Sequence, residues 1–172
     1  MKKTLALSAV ALLASCGGGG GGDHAQGGDY GRRPDWSITL PDGKKVAAGD
    51  YDNKVLIVDF WATWCPPCRQ EIPGFIELQK KYADKGLVIV GFSFDNDPTE
   101  HDVWIKQKGL NYLSIYANTD PGRAVAEMFG KQVGEISGLP TTIVIDRKGK
   151  IVYRHVGYGS IEEFEKVLAP LL

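Results

Sequence analysis

The stretch Val55-Leu56-Ile57-Val58-Asp59-Phe60-Trp61-Ala62-Thr63-Trp64-Cys65-Pro66-Pro67-Cys68 decides how this chain is read. Its first half is an apolar, β-branched run of the kind that forms a strand covered on both faces. Its second half sets two thiols two residues apart, where that strand gives way to a helix. Cysteines at this spacing can close a small disulfide and reopen it, which is the equipment of a dithiol redox catalyst. Zinc sites share the spacing but want four ligands, usually from a second such pair or a pair of histidines. The only other cysteine is Cys16, and His24, His101 and His155 are scattered along the chain. Redox chemistry is therefore preferred to a metal site.

Outward from this segment the chain alternates strands and helices. Residues 87–94 and 142–146 are further apolar runs suited to central strands, and 151–155 is another strand. Arg147-Lys148-Gly149-Lys150 before it has turn chemistry and leaves a gap of hairpin length. Over 66–82 the spacing of Ile72, Phe75, Ile76 and Leu78 makes an apolar helical stripe, which Pro73 should kink. Residues 102–108, 122–129 and 161–168 read as helices, the last with Ser160 as N-cap. The pattern predicts an α/β sandwich around a mixed sheet.

The start of the chain indicates a location. Lys2 and Lys3, a short apolar run over 5–13 and Ala14-Ser15-Cys16 form a secretory signal over 1–15, too short to span a bilayer, which takes ~20 apolar residues. Residues 16–33 are glycine-rich and almost devoid of apolar side chains. They read as a flexible tether with an r.m.s. reach of ~20–25 Å. His24 in this tether needs no special role. Residues 34–172 then make one domain with a proper core. The formal charge of −1 falls by two when Lys2 and Lys3 leave with the signal. No basic face stands out, so nucleic acid is not an expected partner.

Several segments together resemble a known family. The segment 58–68 resembles the active site of thioredoxin-fold proteins and, more narrowly, of the exported TlpA/ResA/CcmG-like thiol–disulfide oxidoreductases. Residues 38–44 resemble their N-terminal β-hairpin, and Gly138-Leu139-Pro140-Thr141-Thr142 their cis-proline loop. Residues 145–151 resemble the hairpin after it, and 95–129 the inserted helix–strand element. Leu13-Ala14-Ser15-Cys16 resembles a bacterial lipobox, which implies cleavage before Cys16 and lipidation of it. The resemblance implies a thioredoxin-like sandwich tethered by lipid on the extracytoplasmic or periplasmic side of a bacterial envelope.

Roles follow for particular residues. Cys65, at the helix start where free N–H groups and the helix dipole favour an anion, is the expected nucleophile. Pro66 and Pro67 cost little there, because first-turn N–H groups have no helical partner. Cys68 resolves the mixed disulfide; a purely structural disulfide is the alternative. Asp59 is a carboxylate in an apolar strand, where burial would raise its pKa; the resemblance implies a proton acceptor beneath the dithiol. Glu71, three residues past Cys68 on nearly the same helix face, matches the family's active-site glutamate. The resemblance further implies a cis bond before Pro140 that exposes backbone groups of Leu139 to an extended substrate. Trp64, Pro66, Pro67 and Leu139 would line the substrate site, with Trp61 and Trp64 as an apolar rim. Residues 131–135 read as a loop that shapes substrate choice or is inert, and His101 and His155 as surface residues.

The expected activity is disulfide reduction in exported proteins, apocytochrome c being one candidate, by a monomer re-reduced by a membrane donor of the DsbD/CcdA kind. No organic cofactor is needed beyond the Cys65–Cys68 pair. The same chemistry could run as a thiol oxidase. A copper-binding chaperone is the remaining alternative, although copper chaperones of this fold space their cysteines by three and add a distant histidine.

Overall fold

A computed structural model describes residues 26–172. The sequence elements cited for 1–25, the signal, Cys16 and His24, lie outside the described residues. The elements run β1 (Gln26–Gly27), β2 (Ser37–Thr39), β3 (Lys45–Ala47), β4 (Val55–Trp61), α1 (Pro66–Tyr82), β5 (Leu87–Ser93), α2 (Pro98–Lys108), β6 (Leu113–Tyr116), α3 (Asp120–Val133), β7 (Thr141–Ile145), β8 (Ile151–Val156) and α4 (Ile161–Leu168). The main sheet has the order β1-β8-β7-β4-β5-β6, and β2 and β3 pair separately as a hairpin. β4 lies parallel to β5 and antiparallel to β7. Its seven residues are all buried, as a strand covered on both faces requires. The α/β sandwich on a mixed sheet, its N-terminal hairpin and its inserted α2–β6 element are those expected.

Alternation along β4 sends side chains to two different layers. Leu56, Val58 and Phe60 join the core formed with the hairpin and α3, which includes Trp36, Phe92 and Phe129. Val55 and Ile57 join Phe75 and Leu78 of α1 and Phe164 and Leu168 of α4. Asp59 and Trp61 share this second face. Helix α1 begins with prolines at its first two positions and passes through Pro73 as one helix. Ser160 and Glu163 form a reciprocal capping box at the start of α4. Among the described residues no helix is long and apolar enough to cross a membrane.

Four expectations need correction. First, the last part of the expected tether is laid along β8. Gln26 and Gly27 pair with Arg154 and Tyr153, the Gly28 N–H donates to the Val152 carbonyl, and the Arg33 N–H donates to the Gly149 carbonyl. Backbone hydrogen bonding to a sheet edge needs no apolar side chains, so a composition-based argument misses it. Second, 131–135 is not a loop throughout, because α3 continues to Val133 and ends at Gly134 with φ +91°. Third, α2 and α3 start earlier than expected, at Asp97-Pro98 and Thr119-Asp120-Pro121, each with its cap side chain accepting a backbone N–H. Fourth, His101 and His155 are buried rather than at the surface.

Candidate active site

Strand β4 ends where α1 begins, and this junction carries the cysteines. Cys65 is the N-cap of α1, and its Sγ accepts the Cys68 backbone N–H at 3.3 Å. The two are joined in a disulfide with Cα atoms 5.3 Å apart. Cys68 is fully enclosed and Cys65 only 3% exposed, in a cluster with Trp61, Ala62 and Ile72. Leu139 packs against the same cluster, so the loop with the cis Leu139–Pro140 bond lies beside the dithiol. Trp64 is 56% exposed next to Cys65, Pro66 is exposed and Pro67 half-buried. Trp64 is thus the aromatic on the site's rim. Trp61 is not, as it is completely buried and packs its indole on Trp104.

The two elements that meet here carry two carboxyl groups with almost no access to water, Asp59 on β4 and Glu71 on α1. Asp59 is 1% exposed, and the Thr142 hydroxyl donates to its Oδ1 at 3.5 Å. Burial pushes its pKa up to about 8, because the charged form loses its hydration. Glu71 is 3% exposed and accepts the Gly159 N–H at 2.9 Å on Oε1. Its Oε2 has no partner among the described residues. Burial, then the neighbouring Asp59 charge, raises its pKa well above the carboxylate range, and the Gly159 bond opposes this. The same two charges, after burial itself, raise the Tyr112 hydroxyl. Glu71 also lines a polar cleft of about 240 Å³ with Gln70, Glu77, Tyr158 and Gly159. Both acids can therefore hold a proton near neutral pH, and Glu71 has an outlet towards solvent.

The turn that presents Cys65 is held by Asp95, a residue the sequence does not single out. Its Oδ1 accepts both the Thr63 N–H and the Thr63 hydroxyl at 2.7 Å, while Oδ2 accepts the Ser93 hydroxyl at 2.6 Å. A second support runs sideways. The Trp61 indole N–H donates to Ser114 Oγ at 3.3 Å, and Ser114 Oγ lies 2.8 Å from His101 Nε2. His101 Nδ1 is 3.1 Å from Asp102 Oδ1. A tautomer with hydrogen on Nδ1 satisfies this series, with Ser114 donating to Nε2. Gly91 leaves room for the indole; a Cβ there would stand 2.8 Å from its nitrogen. His155 sits opposite Thr142 on β8, and neither of its ring nitrogens has a partner among the described residues. No cluster of three or more metal-ligating side chains occurs among the described residues.

A disulfide at the start of a helix, fed by a buried central strand and faced by a cis-proline loop, defines a dithiol oxidoreductase of the thioredoxin fold. Comparison with known proteins agrees with this class. The redoxin family matches residues 28–168, and the chain belongs to that family. It is 31% identical over 135 residues to the thiol-disulfide oxidoreductase ResA of Bacillus thuringiensis, covering 78% of this chain and 73% of that protein. It is 33% identical over 138 residues to the thioredoxin-like protein YneN of Bacillus subtilis, covering 78% and 75%. Among solved structures, a thioredoxin-family thiol:disulfide interchange protein from Chlorobium tepidum TLS superposes with a TM-score of 0.73 at 32% identity, covering 81% of this chain and 94% of that one.

Proposed function

We propose that this thiol–disulfide oxidoreductase is a lipid-anchored, extracytoplasmic reductase of disulfides in exported proteins. The observation that carries the direction of attack is the position of Cys65 as N-cap of α1, with its sulfur on the Cys68 N–H. A thiolate there is favoured by the helix dipole and by free N–H groups. In the reduced enzyme the Cys65 thiolate attacks one sulfur of a substrate disulfide, breaking the S–S bond and expelling the other sulfur as a thiolate. Cys68 then loses its proton and attacks the Cys65 side of the mixed disulfide. The second substrate thiolate leaves, the Cys65–Cys68 disulfide forms, and two electrons have passed to the substrate. Asp59, whose pKa burial lifts to about 8, accepts the Cys68 proton from its ionised fraction, and Glu71, which lines the polar cleft, links this acid to solvent. Trp64, Pro66, Pro67 and Leu139 receive the client chain around Cys65.

The cycle needs a membrane dithiol donor of the DsbD/CcdA kind to reduce the disulfide again, and no bound organic cofactor. Apocytochrome c is one candidate client. The basic, apolar N-terminal segment ending at Cys16 supports the anchored location. The test is a Cys68→Ser variant incubated with disulfide-bonded client. A mixed disulfide should accumulate at Cys65, and in the wild-type protein a midpoint potential of the Cys65–Cys68 pair near ~ −270 mV should accompany reductase activity. A value near ~ −120 mV would instead make the protein an oxidant. Absence of any trapped adduct would refute Cys65 as the attacking thiol.

A further inference from the structure

Strand β6 is an edge of the main sheet. It lies parallel to β5, and the Ala117 N–H that follows it donates to the Ser93 carbonyl at 2.7 Å. In a parallel ladder alternate residues turn both backbone groups the same way, so Leu113 and Ile115 face β5. Ser114 and Tyr116 therefore point their N–H and C=O groups outward, and no backbone group among the described residues pairs with them. A cleft of about 610 Å³ straddles this edge. One wall is the hairpin tip, with Ile38, Leu40 and Asp42; the other is the start of α2, with Pro98, His101 and Asp102. Among the described residues Asp42 and Asp102 are the only charged side chains lining it, both exposed.

We propose that this cleft takes an extended segment of a client polypeptide as an added strand on β6. A row of outward backbone groups between two walls fits a peptide better than a compact small molecule, because it offers pairing at the spacing of a strand. Alternate side chains of the added strand would face the apolar hairpin wall and the polar α2 wall in turn. Asp102 on the α2 wall, with no basic lining residue among those described, selects a segment in which apolar residues alternate with Lys or Arg. The site is separate from the dithiol yet joined to it, since Ser114 binds the indole that packs on the cysteine cluster. This inference rests on the proposed function only in taking a polypeptide as the partner.

The test uses the full, oxidised, ¹⁵N-labelled protein and a blocked, cysteine-free peptide of alternating valine and lysine. No disulfide exchange occurs in it, so its failure leaves the reductase reading intact, and loss of reductase activity would leave this site intact. Binding should shift the Ser114 and Tyr116 amide signals and the Trp61 indole signal, and slow exchange of those two amides at least about ten-fold. A strand pairs through one edge only, so of two peptides N-methylated on opposite edges one should bind and the other should not. Asp102→Asn should weaken binding about two- to five-fold, as for an exposed ion pair, and Asp42→Asn, on the apolar wall, should weaken it less. Equal binding of both methylated peptides, or of a valine–glutamate peptide, would overturn the proposal. So would a dimer in which the β6 edge amides are already protected without peptide, since a second copy would then fill the cleft.

Discussion

Replacing Asp59 with Asn should change how stability depends on pH, and the size of the change follows from burial. Asp59 titrates at about 8 in the folded protein, against a usual value of 3.8. Between these values the folded state holds a proton that the unfolded state has released. Stability therefore falls as pH rises through this window, by about 1.4 kcal/mol per pH unit for one full proton. From pH 5 to pH 7 the wild type should lose up to about 3 kcal/mol through this group alone. Glu71, raised in the same direction, steepens the fall. Asp59→Asn removes this proton from the linkage, so its slope should flatten by about one proton's worth. The assay is urea unfolding of the oxidised proteins at pH 5, 6 and 7. Parallel pH dependences for variant and wild type would refute a neutral, buried Asp59.

Other substitutions probe neighbouring parts of the site. Glu71→Gln keeps an acceptor for the Gly159 N–H and should fold normally, but iodoacetamide alkylation of reduced Cys65 should lose one step from its pH profile. An unchanged profile would separate Glu71 from the dithiol. Gly91→Ala places a methyl 2.8 Å from the Trp61 nitrogen in a closed core and should cost about 1–3 kcal/mol in urea unfolding. A cost below about 0.5 kcal/mol would show that the indole can move aside. Trp64→Ala removes an exposed ring and should shift stability by less than about 0.5 kcal/mol. It should slow reduction of a protein disulfide several-fold while leaving a small-molecule disulfide unaffected; equal slowing of both would assign Trp64 to the chemistry.

What could be read from the chain was whatever had a strong periodic or chemical signature. Strand β4, helix α1 and helix α4 with its Ser160 cap follow directly from apolar spacing and capping chemistry, and Cys65, Cys68 and Asp59 stand out by residue type against their surroundings. Strand β6 left no clear signal of its own, because as an edge strand it fully buries only Ile115. The early starts of α2 and α3 were visible in Asp97-Pro98 and Thr119-Asp120-Pro121, where a cap precedes proline in the first turn. The burial of His101 could not be seen in that way. It is the one buried residue of a largely polar helix, and its partner Ser114 comes from a strand thirteen residues on. Asp95 looks like any acid in a polar loop until the three hydrogen bonds its carboxylate accepts from Thr63 and Ser93 are known. Side-chain partners brought together from distant elements carry no local pattern.

The two ends of the main sheet differ in a way that bears on solubility. At one end β1 offers two ladder residues among those described, and the chain beyond it turns through Gly31 at φ +79°. Short, interrupted edges of this sort are poor templates for another chain. At the other end β6 presents one usable edge. Edge-to-edge contact between copies through β6 would then consume the longer edge of the main sheet among the described residues and close as a two-fold pair. A fibre needs a second complementary surface to keep growing, and the two described ladder residues of β1 make a poor one. Strand addition on such a scaffold stops after a single step.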